Sequence, residues 1–131
     1  MRTSRIVTLL SAVSAASSDG YASIKYAEKV TLEFTENATV LNRSGVLTVL
    51  GSIDGGTNYR AFAMLVSNAA HDNTKTKELV ASVTRSTLGT TLVALDLEEF
   101  GFTDIKVNVA VTDGSTPTGT FTVKAYIESE E

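Results

Sequence analysis

Residues 103–113, TDIKVNVAVTD, show the clearest strand pattern of the sequence. Apolar side chains occupy every second position of this stretch: Ile105, Val107, Val109 and Val111. Polar Lys106 and Asn108 lie between them. Because successive side chains of a β-strand point to opposite faces, the alternation predicts a strand with one buried and one solvated face.

The same alternation recurs on either side of this strand. EKVTLEFTE (28–36) and GTFTVKAYIE (119–128) each place apolar residues on one face and polar residues on the other. Two further stretches, GVLTVLGSI (45–53) and YRAFAMLV (59–66), are apolar on both faces, which predicts central strands or strands whose outer face meets a partner. We place Leu50 in the core and expect Leu50→Asp to prevent stable folding or assembly.

Turn signals separate these strands and set the predicted architecture. The glycine-rich segments 54–58 and 113–119 predict hairpin connections. ELVASVTR (78–85) and TTLVALDL (90–97) are two more strand candidates, although the first also fits a short helix. We therefore predict one all-β domain over residues 1–131, an antiparallel β-sandwich or jelly-roll-like barrel of about eight short strands.

The N-terminal stretch MRTSRIVTLLSAVSAASSDGY (1–21) has features of a secretory signal peptide, since two arginines precede apolar and then small residues. Its apolar part is short and is interrupted by Thr8 and Ser11, which is weak for a signal sequence. We therefore expect no cleaved signal peptide. Residues 1–20 are predicted to form an N-terminal strand or arm that ends in a small-residue turn at 17–20.

Composition argues against several classes of function. The 131 residues include no cysteine, which excludes disulfides, thiolate metal sites and cysteine nucleophiles. The net charge is -4 and no basic patch is evident, so we expect no nucleic-acid partner. No apolar run reaches the roughly 18 residues of a membrane span, so we expect no membrane partner.

No motif predicts catalysis, a cofactor or a metal. His71 is the sole histidine, and it stands beside Asp72 in a polar loop without a nucleophile motif. Adjacent Glu98 and Glu99 would point to opposite faces of a strand, so they would not converge on one glycosidic bond. The acidic residues lack calcium-loop spacing. The tyrosines fit either a sugar-stacking platform or half-buried core and interface positions: Tyr21, Tyr26, Tyr59 and Tyr126.

The order of the strand patterns resembles a known class of proteins. The resemblance rests on IVTLLSAVSAASSDG (6–20), KVTLEFT (29–35), GVLTVLGSIDGGTNYRAFAML (45–65) and the closing stretch LVALDLEEFGFTDIKVNVAVTDGSTPTGTFTVKAYIE (92–128). In this order they resemble the small β-sandwich proteins of tailed-bacteriophage virions, most of all those that decorate or cement the capsid. The motifs are structural rather than chemical, and they cover nearly the whole chain.

The resemblance implies a non-enzymatic virion protein that binds the major capsid protein and stabilises the shell. It also implies a homo-oligomer, with a trimer favoured and a dimer possible, made in the host cytoplasm and located on the capsid surface. A terminal arm often contacts the capsid in this class, and the candidate residues here are Arg2, Arg5, Ile6, Val7 and Leu9. An ordinary first strand is the alternative for this segment. Alternative functions are a carbohydrate- or receptor-binding sandwich and a neck, tail or fibre component.

Overall fold

A computed structural model describes residues 2–14, 16–37, 44–61, 63–66, 78–85, 89–95, 97, 101–112 and 120–130. These residues form β-strands and connections without a helix. In chain order the strands are β1 (Arg2–Val13), β2 (Ser18–Ser23), β3 (Ala27–Glu36), β4 (Ser44–Ser52), β5 (Arg60–Ala61), β6 (Met64–Val66), β7 (Glu78–Val80), β8 (Val83–Arg85), β9 (Gly89–Leu95), β10 (Asp104–Thr112) and β11 (Phe121–Glu130).

The strands form two antiparallel sheets that pack face to face as a β-sandwich. The six-stranded sheet has the order β1-β11-β3-β9-β6-β7. The five-stranded sheet has the order β2-β10-β4-β5, and β8 also pairs with β4. The predicted all-β sandwich is therefore confirmed.

The core lies between the inner faces of the two sheets. The alternating apolar positions of β10 point inward, and Ile105, Val107 and Val109 have no exposed surface. The inward positions of β3 and β11 meet them from the opposite sheet, as in Leu32 and Val123. Period-2 alternation thus predicts correctly which face of these strands is buried.

The described residues contain eleven strands rather than about eight, because three predicted strands are each divided in two. The N-terminal strand gives β1 and β2, the stretch 59–66 gives β5 and β6, and the stretch 78–85 gives β7 and β8. In every case the two halves belong to different sheets. The turn expected at 17–20 is also wrong, since Ser18–Ser23 is strand β2 and pairs with β10.

β4 corrects one core assignment. Its burial alternates, so that Leu47 and Val49 face the core and are 0% and 1% exposed. Leu50 lies on the opposite face, where it is half-buried and its Cα is in register with Lys106 of β10. The assignment of Leu50 to the core is therefore wrong, and the expectation that Leu50→Asp prevents stable folding or assembly loses its basis.

Gly20 is the point where β2 approaches β1 of the other sheet. A β-bulge interrupts the pairing of β1 with β11 between Thr8 and Leu10, and it leaves Leu9 without a partner in the ladder. A Cβ atom on Gly20 would lie closer than 3.0 Å to the Leu9 carbonyl oxygen and carbonyl carbon. The absence of a side chain at this position therefore lets the two backbones pass.

We expect Gly20→Ala to lower the free energy of unfolding by about 2–3 kcal/mol, because overpacking against backbone cannot be relieved by a rotamer change. The midpoint of thermal unfolding should fall by roughly 10 °C. Gly101→Ala is the matched control, since a Cβ there meets no atom within 4 Å. Thermal and urea unfolding followed by circular dichroism measure both variants, and equal stability of the two would contradict the close approach of β1 and β2.

Candidate functional surface on the six-stranded sheet

The outer face of the six-stranded sheet carries a continuous row of mainly apolar side chains. Strand register aligns Ile6 with Tyr126, Tyr126 with Thr31, and Thr31 with Ala94. Ala94 is in turn aligned with Leu65, and Leu65 with Leu79. This apolar row crosses all six strands: Ile6, Tyr126, Thr31, Ala94, Leu65 and Leu79.

The large side chains of the apolar row are unusually exposed. Ile6 is 71% exposed, Leu79 is 64% exposed and Tyr126 is 39% exposed. Leu92, one row further along β9, adds a side chain that is 53% exposed. Ile6, Leu92 and Tyr126 help to line a shallow cavity of about 260 Å³. A contiguous exposed apolar patch with a polar rim is typical of an interaction surface.

Charged side chains flank the apolar row on both sides along β11 and β3. On one side Lys124 is in register with Glu33, and on the other side Glu128 is in register with Lys29. The sign of the charge therefore alternates both along each strand and between the two strands. We call Lys124, Glu33, Glu128 and Lys29 the charged quartet.

Beyond Lys124 and Glu33, the same face ends in a polar row of threonines. Thr35 and Thr90 share a hydrogen bond of 2.9 Å between their hydroxyl oxygens. The Asn37 side-chain amide donates to Thr122 Oγ1 at 2.7 Å, and the Ala12 backbone N–H donates to the same oxygen at 3.1 Å. These side chains are satisfied within the sheet, so the interaction potential of the face lies in the apolar row and the charged quartet.

A second cluster lies on the five-stranded sheet around Tyr59. Its ring packs edge to face with Tyr21, with ring centroids 5.9 Å apart, and Lys106 Nζ lies 5.2 Å from the Tyr59 ring centroid. Burial, together with the nearby Asp104 carboxylate, raises the pKa of Tyr59. The four tyrosines do not form a single platform, which was one of two alternatives for them, because Tyr26 lies on the β2–β3 turn and Tyr126 on the other sheet.

The loop after β4 is organised by Asp54. Its Oδ1 accepts hydrogen bonds from Ser52 Oγ at 2.7 Å and from the Asn58 backbone N–H at 3.0 Å. Its Oδ2 accepts a bond of 2.8 Å from Asn58 Nδ2. These donors favour the ionised carboxylate and hold the pKa of Asp54 well below its usual range. Gly55 and Gly56, with φ of 75° and 90°, make the turn that Asp54 closes.

We expect the Asp54 carboxyl to titrate at a pH clearly below the ordinary aspartate pKa of about 3.9. A lowered folded-state pKa means that the loop contacts stabilise the fold above the unfolded-state pKa and are lost as pH falls through the folded-state pKa. The pH dependence of the Asp54 side-chain carboxyl ¹³C shift measures the midpoint. Asn58→Ala and Ser52→Ala each remove a hydrogen-bond donor to Asp54, so each should raise the titration midpoint of Asp54. A midpoint that neither variant changes would contradict this account.

A groove lies at one end of the sandwich between β1 and the β2–β3 turn. It has a volume of about 530 Å³, and its lining includes Arg5, Lys25, Tyr26 and Ile127. Arg5 Nη2 donates to the Ser23 carbonyl oxygen at 2.8 Å, and Lys25 Nζ lies 5.2 Å from the Tyr26 ring centroid. Both cations are thus engaged by neighbouring groups, and the Arg5 contact ties β1 to the end of β2.

Glu36 places a carboxylate at the other end of the sandwich. Its side chain is 1% exposed, and neither carboxylate oxygen has a hydrogen-bond partner among the described residues. Burial raises the pKa of Glu36, and the nearby Arg85 guanidinium opposes this rise. Arg85 belongs to the five-stranded sheet and donates from Nη1 to Thr91 Oγ1 of the six-stranded sheet at 2.7 Å. These polar side chains therefore link the two sheets.

The structure divides the candidate arm residues between two environments. β1 is an edge strand paired with β11, so Arg2, Arg5 and Ile6 belong to a sheet. Val7 and Leu9 pack against the core, whereas Ile6 points outward into the apolar row.

Other sequence-predicted positions lie outside the described residues. These are His71 and Asp72 of the polar loop, the Glu98–Glu99 pair and the 113–119 turn. Among the residues that are described, no group of three or more potential metal ligands occurs. The described part of the chain also contains no helix of the length and apolar character needed to cross a membrane.

Comparison with known proteins identifies a likeness of fold. No protein-family model matches the chain, and no curated protein matches it. The structure is similar to the crystal structure of the SPBc2 prophage-derived protein YomS, with a TM-score of 0.63 and 18% sequence identity. The alignment covers 98% of this chain and 96% of that chain. At this identity the two proteins share a fold over nearly their whole lengths.

Proposed function

We propose that the protein is a non-enzymatic structural component of a tailed-phage virion, where it decorates and stabilises the capsid. The observation that carries this proposal is the sandwich shared, over 98% of this chain, with a prophage-derived protein. The resemblance of the strand and turn order to virion decoration proteins supports the same class. A neck, tail or fibre location is the alternative within that class.

The exposed apolar row supports a role that depends on contact rather than on chemistry. A decoration protein acts by occupying a surface and bridging its neighbours, which requires exposed apolar side chains inside a polar rim. We propose the major capsid protein and further copies of this chain as partners. The proposed location is the outer capsid surface, after synthesis in the host cytoplasm without a cleaved signal peptide.

β1 is the segment that we propose for the capsid contact. As an edge strand it presents backbone donors and acceptors along its open side, to which a capsid segment can add as a further strand. Arg5 and Ile6 are exposed on the same strand. The proposed contact is therefore an edge strand held in the sheet rather than a detached arm.

Cryo-electron microscopy of purified particles, from the virus that encodes this chain, tests the proposal. We expect density for the sandwich at repeated lattice positions on the outer shell, with β1 facing a capsid subunit. Density confined to the neck, tail or fibre would favour the alternative location. Absence of the chain from the particles, checked by mass spectrometry, would contradict every virion role.

A carbohydrate- or receptor-binding role is the second candidate, and the Tyr21–Tyr59 pair is the observation that favours it. Tyr21 is 58% exposed and lies edge to face with Tyr59, whose hydroxyl is close to Gly56 in the polar loop that Asp54 organises. Exposed tyrosine rings beside polar groups are suited to stacking against sugars. A glycan array should then show binding that is lost in Tyr21→Ala. Tyr26→Ala is the control and should keep the binding, because the exposed Tyr26 ring lies on the β2–β3 turn. Uniformly negative arrays would exclude this role.

A further inference from the structure

We infer that the outer face of the six-stranded sheet is a self-complementary surface that binds a second copy of this chain across a two-fold axis. The apolar row forms the centre of the proposed interface, and the charged quartet forms its rim. The inference concerns the purified chain alone. It therefore stands or falls separately from the proposed virion role.

The apolar row explains why this face requires a partner. Ile6, Leu79 and Leu92 are each more than half exposed although they lie on regular strands. Ile6 is in register with Tyr126 and Leu79 with Leu65, whereas Leu92 lies beside the row and is in register with Glu33. The side chains of the row therefore form one patch rather than standing singly. The opposite faces of the same strands are already buried in the core.

The charged quartet explains why the partner is a second copy. Consider first a two-fold axis that runs along the apolar row, so that the two flanking charged rows exchange places. Glu128 of the second copy then lies over Lys124 of the first. Lys29 of the second copy lies over Glu33 of the first. The alternative is a two-fold axis parallel to the strands that runs between β11 and β3. Glu33 of the second copy then lies over Lys124 of the first, and Lys29 of the second copy lies over Glu128 of the first. Both of these two-fold axes therefore pair opposite charges, as an isologous interface requires.

The area of the face is sufficient for a weak dimer. Six strands about 4.8 Å apart make the row roughly 29 Å wide, and six residues along β11 add about 20 Å in the other direction. Because β6 and β7 have only three residues each, the face covers about 500 Å² per copy, which is below the roughly 600 Å² per partner of the smallest stable interfaces and in the range of weak contacts. We therefore expect a dimer that dissociates at micromolar concentration. A face-to-face contact of this kind closes with two copies, so the dimer is favoured over the trimer.

The first test compares two isoleucines of nearly equal exposure. Ile6 is 71% exposed within the apolar row, and Ile53 is 75% exposed in the loop after β4. We expect Ile6→Lys to raise the dimer dissociation constant by at least about tenfold, because it replaces the most exposed apolar side chain of the row with a charge. Ile53→Lys should leave the constant unchanged. Sedimentation velocity from low to several hundred micromolar measures the constant, and thermal unfolding shows that both variants remain folded.

The second test uses charge reversal between copies. Lys124→Glu alone should weaken association, since it places like charges together under either axis. Mixing it in equal amounts with Glu128→Lys should restore the dimer if the axis runs along the apolar row. Mixing it with Glu33→Lys should restore the dimer if the axis is parallel to the strands.

The outcomes separate clearly. Dimerisation that Ile6→Lys reduces and a charge-reversed partner restores supports the inference. A wild-type chain that stays monomeric at every concentration overturns it. So does a trimer or larger oligomer that persists in Ile6→Lys, or failure of both charge-reversed mixtures to restore association.

Discussion

Leu47→Asp is expected to yield no folded protein at neutral pH. Leu47 has no exposed surface and lies on the inner face of β4, in register with Val109 of β10 and Val83 of β8. An unpaired carboxylate at this position would lose its hydration without gaining a partner. The cost is several kcal/mol or more, a large part of the roughly 5–15 kcal/mol that stabilises an ordinary domain. Far-ultraviolet circular dichroism and the soluble yield measure the effect.

Leu50→Asp is the matched control for this prediction. Leu50 lies three residues further along the same strand but faces outward, so its carboxylate would remain in contact with water. We expect this variant to fold and to lose no more than about 1 kcal/mol of stability. If Leu50→Asp unfolded the protein while Leu47→Asp did not, the faces of β4 would be assigned the wrong way round.

Phe121→Ala is expected to lower the free energy of unfolding by about 3–5 kcal/mol. Phe121 is fully buried and stacks on Phe34, with ring centroids 5.7 Å apart and an interplanar angle of 29°. Its ring also lies against the backbone of Gly45 in the opposite sheet, where an added Cβ would be 2.7 Å from Cε1. Removal of the ring therefore leaves a cavity between the two sheets.

The contact with Gly45 allows a double-mutant test that is specific to this packing. A general loss of stability would not produce the expected coupling between the two positions. Gly45→Ala alone should destabilise the protein by about 1–3 kcal/mol, because the new methyl group overlaps the Phe121 ring. In the Phe121→Ala background the same methyl group enters the cavity. Gly45→Ala should then leave the free energy of unfolding nearly unchanged or should raise it. Urea unfolding of the four proteins gives the coupling free energy, which we expect to exceed about 1 kcal/mol. Additive effects would contradict this packing.

Local alternation predicts much of the fold because it depends only on neighbouring residues. β3, β10 and β11 each place their apolar positions on the buried face, as the pattern in the sequence requires. The same reasoning fails for β4, where apolar residues occupy both faces and Leu50 cannot be distinguished from Leu47 by composition. Which face of β4 is inside depends on the strands that pair with it, and those lie far away in the sequence.

The candidate surface shows the same limit. Alternation around Tyr126 predicts that this side chain points away from the core, and the apolar pair Leu92–Val93 indicates that one of the two must be exposed. No local pattern predicts that Ile6, Tyr126 and Leu79 belong to one row. That alignment is set by the register of six strands drawn from both ends and the middle of the chain.

Hydrophobic periodicity is encoded locally, and it is therefore sufficient to predict an all-β chain whose strands have one buried and one solvated face. The tertiary structure decided that three predicted strands each change sheet, since the point of crossing depends on how the two layers close over the core. It also decided what the opening stretch RIVTLL does. Alternation along β1 turns Val7 and Leu9 toward the core and Ile6 to the outer face, and the bulge at Leu9 allows the next residue, Leu10, to be buried as well. One edge strand therefore both completes the sandwich and begins its candidate interaction surface.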